Sequence, residues 1–257
     1  MKKKFILFVV LLGMAASSRG QHAHFAISGT IEFERKTNAY ALIEKAINKD
    51  NEAWLRPALD YYKKINPQFK VLTAKLAFGD DKTLYTPNDA DPPANTVMND
   101  SPMLNQFNTI FTDLAAQSAV DQKKVFEQTY LVKDSLRKIK WKITDETRDI
   151  AGYTCRRANG IYLDSVYVVA FYTTRIPVPG GPESFSGLPG MILGVALPHE
   201  NITWFAKKVT ETYTSANTLT APKKGKATTE KDLLHILTTA SENWGRVGKL
   251  YVKGFML

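Results

Sequence analysis

The feature that most constrains this chain is the segment at residues 176–195, which holds four prolines and five glycines in twenty residues. Its sequence is IPVPGGPESFSGLPGMILGV, and it stands between two strongly apolar segments. Proline fixes φ at about −65° and gives up an amide donor, whereas glycine alone adopts positive φ at little cost. We therefore expect a loop of fixed course that connects two strands and is held in place by what it packs against.

The segments around this loop predict a β-sheet. Residues 25–35 alternate between apolar and polar, and residues 166–172 are apolar throughout, as is typical of a central strand covered on both faces. The polar stretches 145–149 and 198–201 predict short reversals of the chain, which favour antiparallel neighbours. We expect roughly eight to ten strands in all. The other predicted strands lie at residues 69–78, 125–132, 139–143, 150–158, 191–197 and 202–213.

The pattern changes to helical spacing over about residues 40–66, which predicts two helices, the second with Pro57 near its start. The aromatic residues Trp54, Tyr61 and Tyr62 of this second helix are expected in the core rather than in a ligand wall. The expected fold is therefore α+β: a mainly antiparallel curved sheet, open or a partial barrel, with a helical insertion at about 40–66 and a C-terminal helix.

The C-terminal helix is predicted over about residues 229–244. Thr229 and Asp232 form a capping box at its start, and Gly245 and Gly248 are expected to end it. The apolar tail, residues 250–257, is expected to form a last strand or a packed end.

Residues 1–20 have the layout of a secretory signal peptide, with a basic start, an apolar core too short to span a bilayer, and a cleavage site near Gly20 and Gln21. We expect a periplasmic or secreted protein with a single domain at residues 21–257 and no transmembrane segment. Without the signal, 30 basic residues face 25 acidic ones, an excess of about +5. This mild excess gives no reason to expect a nucleic-acid partner.

Few residues offer catalytic or metal-binding chemistry. Cys155 is the only cysteine, so an internal disulfide is excluded and a small buried side chain is expected. None of the four histidines stands in a known catalytic motif, so we expect neither an enzyme nor a cofactor, although an uncharacterised enzyme stays open as an alternative. Cleavage after Gln21 would begin the mature chain at His22 with His24 third, a pattern suited to copper(II) or nickel(II). This N-terminal metal site is the other alternative, and no other metal site is expected.

Residues 186–193, SGLPGMIL, resemble the signature of the GLPGLI family of exported Bacteroidetes proteins. Met191 replaces the leucine usual in that family, a swap that conserves volume. The resemblance runs from about residue 125 to 209, and it implies an exported protein but no established activity. Further short motifs of the family occur here in the same order as in the family, namely WKI at 141–143, IAGYTCRRA at 150–158, FYTTRIP at 171–177 and GP at 181–182.

The leading interpretation is a non-catalytic envelope protein that binds a hydrophobic or peptide ligand, or a partner protein, near the 176–192 loop. A concave face of a curved sheet is a usual place for small ligands, so we expect an aromatic-lined cavity beside the loop. A purely structural role as a corner between strands is the alternative for the same residues. The predicted binding residues are Pro177, Gly181, Pro182, Phe185, Gly187, Leu188, Pro189 and Gly190.

Overall fold

The computed structural model describes residues 24–88, 101–163, 165–214 and 218–257. Within these ranges the chain forms twelve strands and four α-helices. The strands are β1 (Gly29–Asn38), β2 (Phe69–Gly79), β3 (Lys82–Pro87), β4 (Thr109–Asp113), β5 (Ser118–Val125), β6 (Gln128–Ser135), β7 (Lys142–Ile150), β8 (Tyr153–Tyr162), β9 (Val166–Thr173), β10 (Met191–Leu197), β11 (Ile202–Glu211) and β12 (Lys226–Thr228). The helices are α1 (Ala39–Ala46), α2 (Glu52–Ile65), α3 (Glu230–Ala240) and α4 (Gly245–Met256).

The strands form one open, curved sheet in the order β12-β6-β5-β4-β3-β2-β1-β11-β10-β9-β8-β7. Neighbours pair antiparallel except β12 and β6, which pair parallel. The predicted α+β class with a mainly antiparallel curved sheet is confirmed, in its open form. The first strand lies between β2 and β11, so the described chain begins in the middle of the sheet.

Alternation along the strands builds the core. In β1 the side chains of Ile31, Phe33 and Arg35 are buried, whereas Glu32 and Lys36 on the other face are exposed. The register with β11 shifts between Glu32 and Phe33, and such a bulge increases local bend and twist. The inner face of the sheet carries the main hydrophobic core.

The helices predicted over residues 40–66 are present as α1 and α2. Asn38 caps α1, because its side-chain oxygen accepts from the Ala41 amide at 3.1 Å. The second helix begins at Glu52, and Pro57 lies inside it rather than near its start. Tyr62 is buried as expected, but the prediction that Trp54 and Tyr61 belong to the core is wrong. The buried stripe consists of Leu55, Leu59 and Tyr62 instead.

The capping box that begins the C-terminal helical region is confirmed. The Thr229 hydroxyl oxygen accepts from the Asp232 amide at 3.1 Å, and α3 follows directly. The tail is helix α4 rather than a last strand, although its end is packed as expected. The helix α3 ends at Ala240, before either glycine, whereas Gly245, with φ of 55°, is the first residue of α4 and Gly248 lies inside it. A Cβ at Gly248 would lie 2.5 Å from the Ser241 carbonyl oxygen, so this glycine serves close packing.

Three strand predictions need correction. Residues 125–132 form two strands, because the chain turns between β5 and β6 at Phe126, with φ of 53°. Residues 145–149 lie within β7, and the reversal falls at Ala151 and Gly152 instead. All of β7 except Ile150 is exposed or half-buried, so its polar side chains stay in contact with water and carry no desolvation cost. The strand predicted at 139–143 begins only at Lys142.

Two sets of predicted residues lie outside the described part of the chain. These are the signal peptide at residues 1–20 and His22 of the N-terminal metal alternative. His24 is described, and its ring pairs with the carboxylate of Glu211. Among the described helices, none combines the length and the apolar character needed to cross a bilayer.

Candidate functional site

The proline- and glycine-rich loop, residues 174–190, joins β9 to β10 and folds back on itself. The Met191 amide donates to the Ile176 carbonyl at 2.9 Å, and the Ile192 amide donates to the Gly180 carbonyl at 2.8 Å. Within the loop, the Gly187 amide donates to the Pro179 carbonyl at 3.2 Å. These hydrogen bonds therefore give the loop the fixed course that was expected.

Aromatic side chains hold the loop against the inner face of the sheet. The ring of Phe185 lies 5.1 Å from that of Tyr162 and 5.7 Å from that of Trp204, measured between centroids. The indole of Trp141 donates to the Ser186 carbonyl at 3.0 Å. The aromatic residues expected to line a cavity beside the loop thus pack on the loop itself. Of the predicted binding residues, Gly181, Pro182, Phe185, Leu188 and Gly190 are buried, and Pro177, Gly187 and Pro189 are exposed.

Two glycines of the loop are required by close approach. At Gly190, φ is +148°, and a Cβ would overlap the Thr173 carbonyl oxygen and lie 2.9 Å from its carbon. At Gly181 a Cβ would lie 2.7 Å from the Phe185 carbonyl oxygen. Real Cβ atoms do not come this close to backbone, so both glycines of the predicted site have a structural reason independent of any ligand.

Glu183 of the loop belongs to a charged cluster with Arg35, Lys123 and Asp121, in which Asp121 is half-buried and the other three are buried. The guanidinium of Arg35 lies 5.3 Å from the Trp204 ring centroid, and the Trp204 indole donates to Glu183 at 3.4 Å. The Lys123 ammonium pairs with Asp121 at 3.1 Å. Among the described residues, the second oxygens of Glu183 and Asp121 and the Arg35 Nε have no hydrogen-bond partner.

The burial of this cluster changes its proton affinities. Desolvation raises the pKa of Glu183 to about 7, partly offset by the positive charge of Arg35. Burial and the nearby Glu183 carboxylate raise the pKa of Tyr85 well above its usual value. Desolvation likewise lowers the pKa of Arg35. Glu183 belongs to the loop itself, and only 5% of its surface is exposed.

The same cluster ties three separate parts of the chain together. Arg35 donates to the carbonyls of Met103 and Leu104 at 2.7 and 3.2 Å, and Lys123 donates to the Phe255 carbonyl at 2.7 Å. The loop, the segment before β4 and the end of α4 therefore meet at one buried charged centre. This arrangement is suited to holding elements in place.

A large open groove of about 850 Å³ lies between α3, α4 and the side chains of Leu163, Ser165 and Val166. Its wall is predominantly apolar, and its volume falls in the range of about 300–1,000 Å³ typical of ligand pockets. Leu234 lies in this wall with 42% of its surface exposed. The apolar side chains that line the groove are Leu163, Val166, Leu234, Val252 and Met256.

Charged side chains form the rim of this groove, and several are held by the protein. Glu230 pairs with Arg137 at 2.8 Å, Asp134 accepts from the Glu230 amide at 3.1 Å, and Lys253 pairs with Glu200. The rim is therefore partly preorganised. A second, smaller groove of about 260 Å³ lies between α1, α2 and α4, and Trp54 and Tyr251 are among its lining residues.

Sequence reasoning missed the main groove because it missed α4, which supplies one wall. The apolar residues Val247, Tyr251 and Phe255 recur every four residues, and this spacing is the signal of the helix. The described residues hold no group of three or more histidine, cysteine, aspartate or glutamate side chains placed to bind a metal ion. Cys155 is fully buried, and burial raises the pKa of its thiol to about 12.

Part of the chain matches a family without an established activity. The family model, described as a protein of unknown function (Porph_ging), matches residues 161–194, which include β9, the whole loop and part of β10. No curated protein matches the chain.

Among solved structures, the chain is similar to PNGF-II. In one crystal form of PNGF-II, in space group C2, the identity is 15% and the TM-score 0.50, over 85% of this chain and 33% of that one. In space group P21 the values are 17% and 0.49, over 86% and 34%. The chain thus spans about a third of the length of PNGF-II, and the likeness shows the fold alone. An uncharacterized conserved protein from Thermus thermophilus is 7% identical, with a TM-score of 0.38 over 79% of this chain and 92% of that one.

Proposed function

We propose that this protein is an exported, non-catalytic binding module that holds a hydrophobic ligand in the groove between α3 and α4. The observation that carries the proposal is the groove itself, which has about 850 Å³ of space, an apolar wall and a charged rim. The proposed site is this groove rather than the proline- and glycine-rich loop, whose buried residues are used in packing.

Two sequence features support the remaining parts of the proposal. The N-terminal pattern of a signal peptide supports export to the periplasm or beyond. The sequence motifs shared with the GLPGLI family support membership of that family, and the family-model match at residues 161–194 overlaps these motifs. The non-catalytic character is proposed because Glu183, the buried carboxyl whose pKa is raised to about 7, does not line the groove.

A fluorescence binding assay tests ligand binding in the groove. The probe is N-phenyl-1-naphthylamine, whose fluorescence rises in apolar sites, and Leu234→Gln removes part of the apolar wall. Burial of the exposed 42% of Leu234 by a ligand corresponds to about 0.6–1.3 kcal/mol, or roughly three- to eightfold in affinity. Ile161→Gln is the matched control, because Ile161 is 51% exposed and does not line the groove.

The proposal requires that the probe binds and that Leu234→Gln weakens binding while Ile161→Gln leaves it unchanged. Equal affinity of all three proteins would place the probe elsewhere and contradict the groove assignment. Native mass spectrometry of the protein purified from its own periplasm then identifies the natural ligand by mass. A bound peptide instead of an apolar small molecule would correct the ligand class.

A further inference from the structure

The smaller groove, of about 260 Å³ between α1, α2 and α4, has the features of a second binding site. Its wall is mostly apolar and comes from all three helices and from the segment before β4. It shares no lining residue with the groove between α3 and α4. Its volume lies just below the range of about 300–1,000 Å³ typical of drug-sized ligands, so it suits a small molecule. The apolar side chains of its wall include Leu42, Trp54, Met103, Leu250 and Tyr251.

One end of the smaller groove is polar and is built around a buried carboxylate. Glu200 lies in the turn between β10 and β11, and only 3% of its surface is exposed. The ammonium of Lys45, in the last turn of α1, lies 3.6 Å from one of its oxygens, and Lys253 of α4 pairs with the other. Because lysines engage both oxygens, Glu200 is not available to a cationic ligand.

The two lysines leave an excess of positive charge at this polar end, because two ammonium groups face one carboxylate. Within the part of the chain that the structure describes, Lys45 and Glu200 are the only charged side chains that line the smaller groove. The neighbouring acidic residues Glu44 and Glu52 both pair with Arg56 and do not line it. An anionic group would therefore be the favoured occupant of the polar end.

Lys45 has a hydrogen-bond donor left for such a group. An ammonium carries three N–H donors. The Lys45 ammonium donates to the His199 carbonyl at 2.7 Å and a second donor faces Glu200, which leaves the third. The Lys45 side chain is 41% exposed, so this donor is accessible. Hydrogen bonds between charged groups are stronger than those between neutral groups.

We infer that the smaller groove binds a small aliphatic carboxylic acid, with its chain against the apolar wall and its carboxylate on Lys45. The apolar wall and the single cationic donor match the two parts of such a molecule. The inference does not depend on the groove between α3 and α4, because the two sites are lined by different residues.

Isothermal titration calorimetry with octanoate and with 1-octanol tests this assignment, because the two probes share a chain length and differ in charge. Octanoate should bind the parent protein at least about tenfold more tightly than 1-octanol. Lys45→Gln should abolish that difference, and the fold should tolerate the change because Glu200 keeps its pair with Lys253. Lys49→Gln is the matched control, because Lys49 is exposed, follows α1 and does not line the groove; it should keep the difference.

A second pair of variants locates the chain of the probe. Trp54→Ala should weaken octanoate and 1-octanol alike, by at least about threefold, because it removes part of the apolar wall. Tyr61→Ala should leave both affinities unchanged, because Tyr61 is as exposed as Trp54 on the same helix but lies outside the groove.

Three results would overturn the inference: equal affinity of the parent protein for the acid and the alcohol, no binding of octanoate, or a difference that Lys45→Gln leaves unaltered. So would loss of octanoate affinity in Leu234→Gln but not in Lys45→Gln, because octanoate would then lie in the groove between α3 and α4. That last result would leave the proposed function of the larger groove standing.

Discussion

Replacement of Gly190 by alanine should destabilise the protein far more than the same replacement at a glycine in open space. The backbone at Gly190 has φ of +148°, and its new Cβ would overlap the Thr173 carbonyl oxygen. That carbonyl belongs to β9, a strand hydrogen-bonded on both sides, so it cannot move away cheaply. Backbone strain of about 1–3 kcal/mol together with this overlap gives a loss of about 3–5 kcal/mol.

Gly152→Ala is the control, because φ there is +84° but no atom lies within 4 Å of the added Cβ. Strain alone should cost about 1 kcal/mol at this position. Urea unfolding followed by tryptophan fluorescence measures both losses, and the melting temperature of Gly190→Ala should fall by roughly 6–20 °C. Gly187→Ala, with φ of +89° and only ordinary contact to Trp141, should resemble the control. Equal losses at 190 and 152 would refute the reasoning.

Two further predictions concern a buried charge and a helix cap. Glu183→Gln should flatten the pH dependence of stability. Because the pKa of Glu183 is raised, the native state holds a proton that the unfolded chain releases above pH 4.5. The free energy of unfolding of the parent protein should therefore fall by about 3 kcal/mol as the pH rises to about 7. Urea unfolding at pH 5 and pH 8 measures this, and an unchanged slope for the variant would contradict it. Thr229→Ala should cost about 1 kcal/mol by removing the acceptor for the Asp232 amide, whereas Thr229→Ser should cost little; equal unfolding midpoints for alanine and serine would show that the cap contributes nothing.

The fold class could be read from the sequence because periodicity reports burial directly. Alternation marked β1, and helical spacing marked α1 and α2. Periodicity does not reveal β7, because both faces of that strand are exposed to solvent. The strand is rich in charged residues, and a run of charged residues without apolar alternation predicts a turn. The sequence prediction also failed at α4, because Gly245 and Gly248 were expected to end a helix and both lie in α4. Gly248 allows close contact with Ser241, and Gly254 of the same helix allows close contact with Pro102.

The candidate site was harder to predict than the fold because it depends on distant contacts. The buried cluster joins Arg35, Asp121 and Glu183, which come from three strands or loops far apart in the chain. Nothing in the local sequence around each residue indicates that the three meet. The loop was found because proline and glycine constrain the backbone locally. Its role as a packed corner follows only from the position of Thr173 and the rings around Phe185.

An open sheet has two free margins, and each invites strands from other molecules. One margin here is β12, only three residues long, which offers too few amides and carbonyls to template a neighbour. The other is β7, where Asp145, Glu146 and Arg148 stand in exposed positions and would repel or misalign an incoming strand. A sheet of twelve strands can thus stay unclosed without recruiting copies of itself into fibrils.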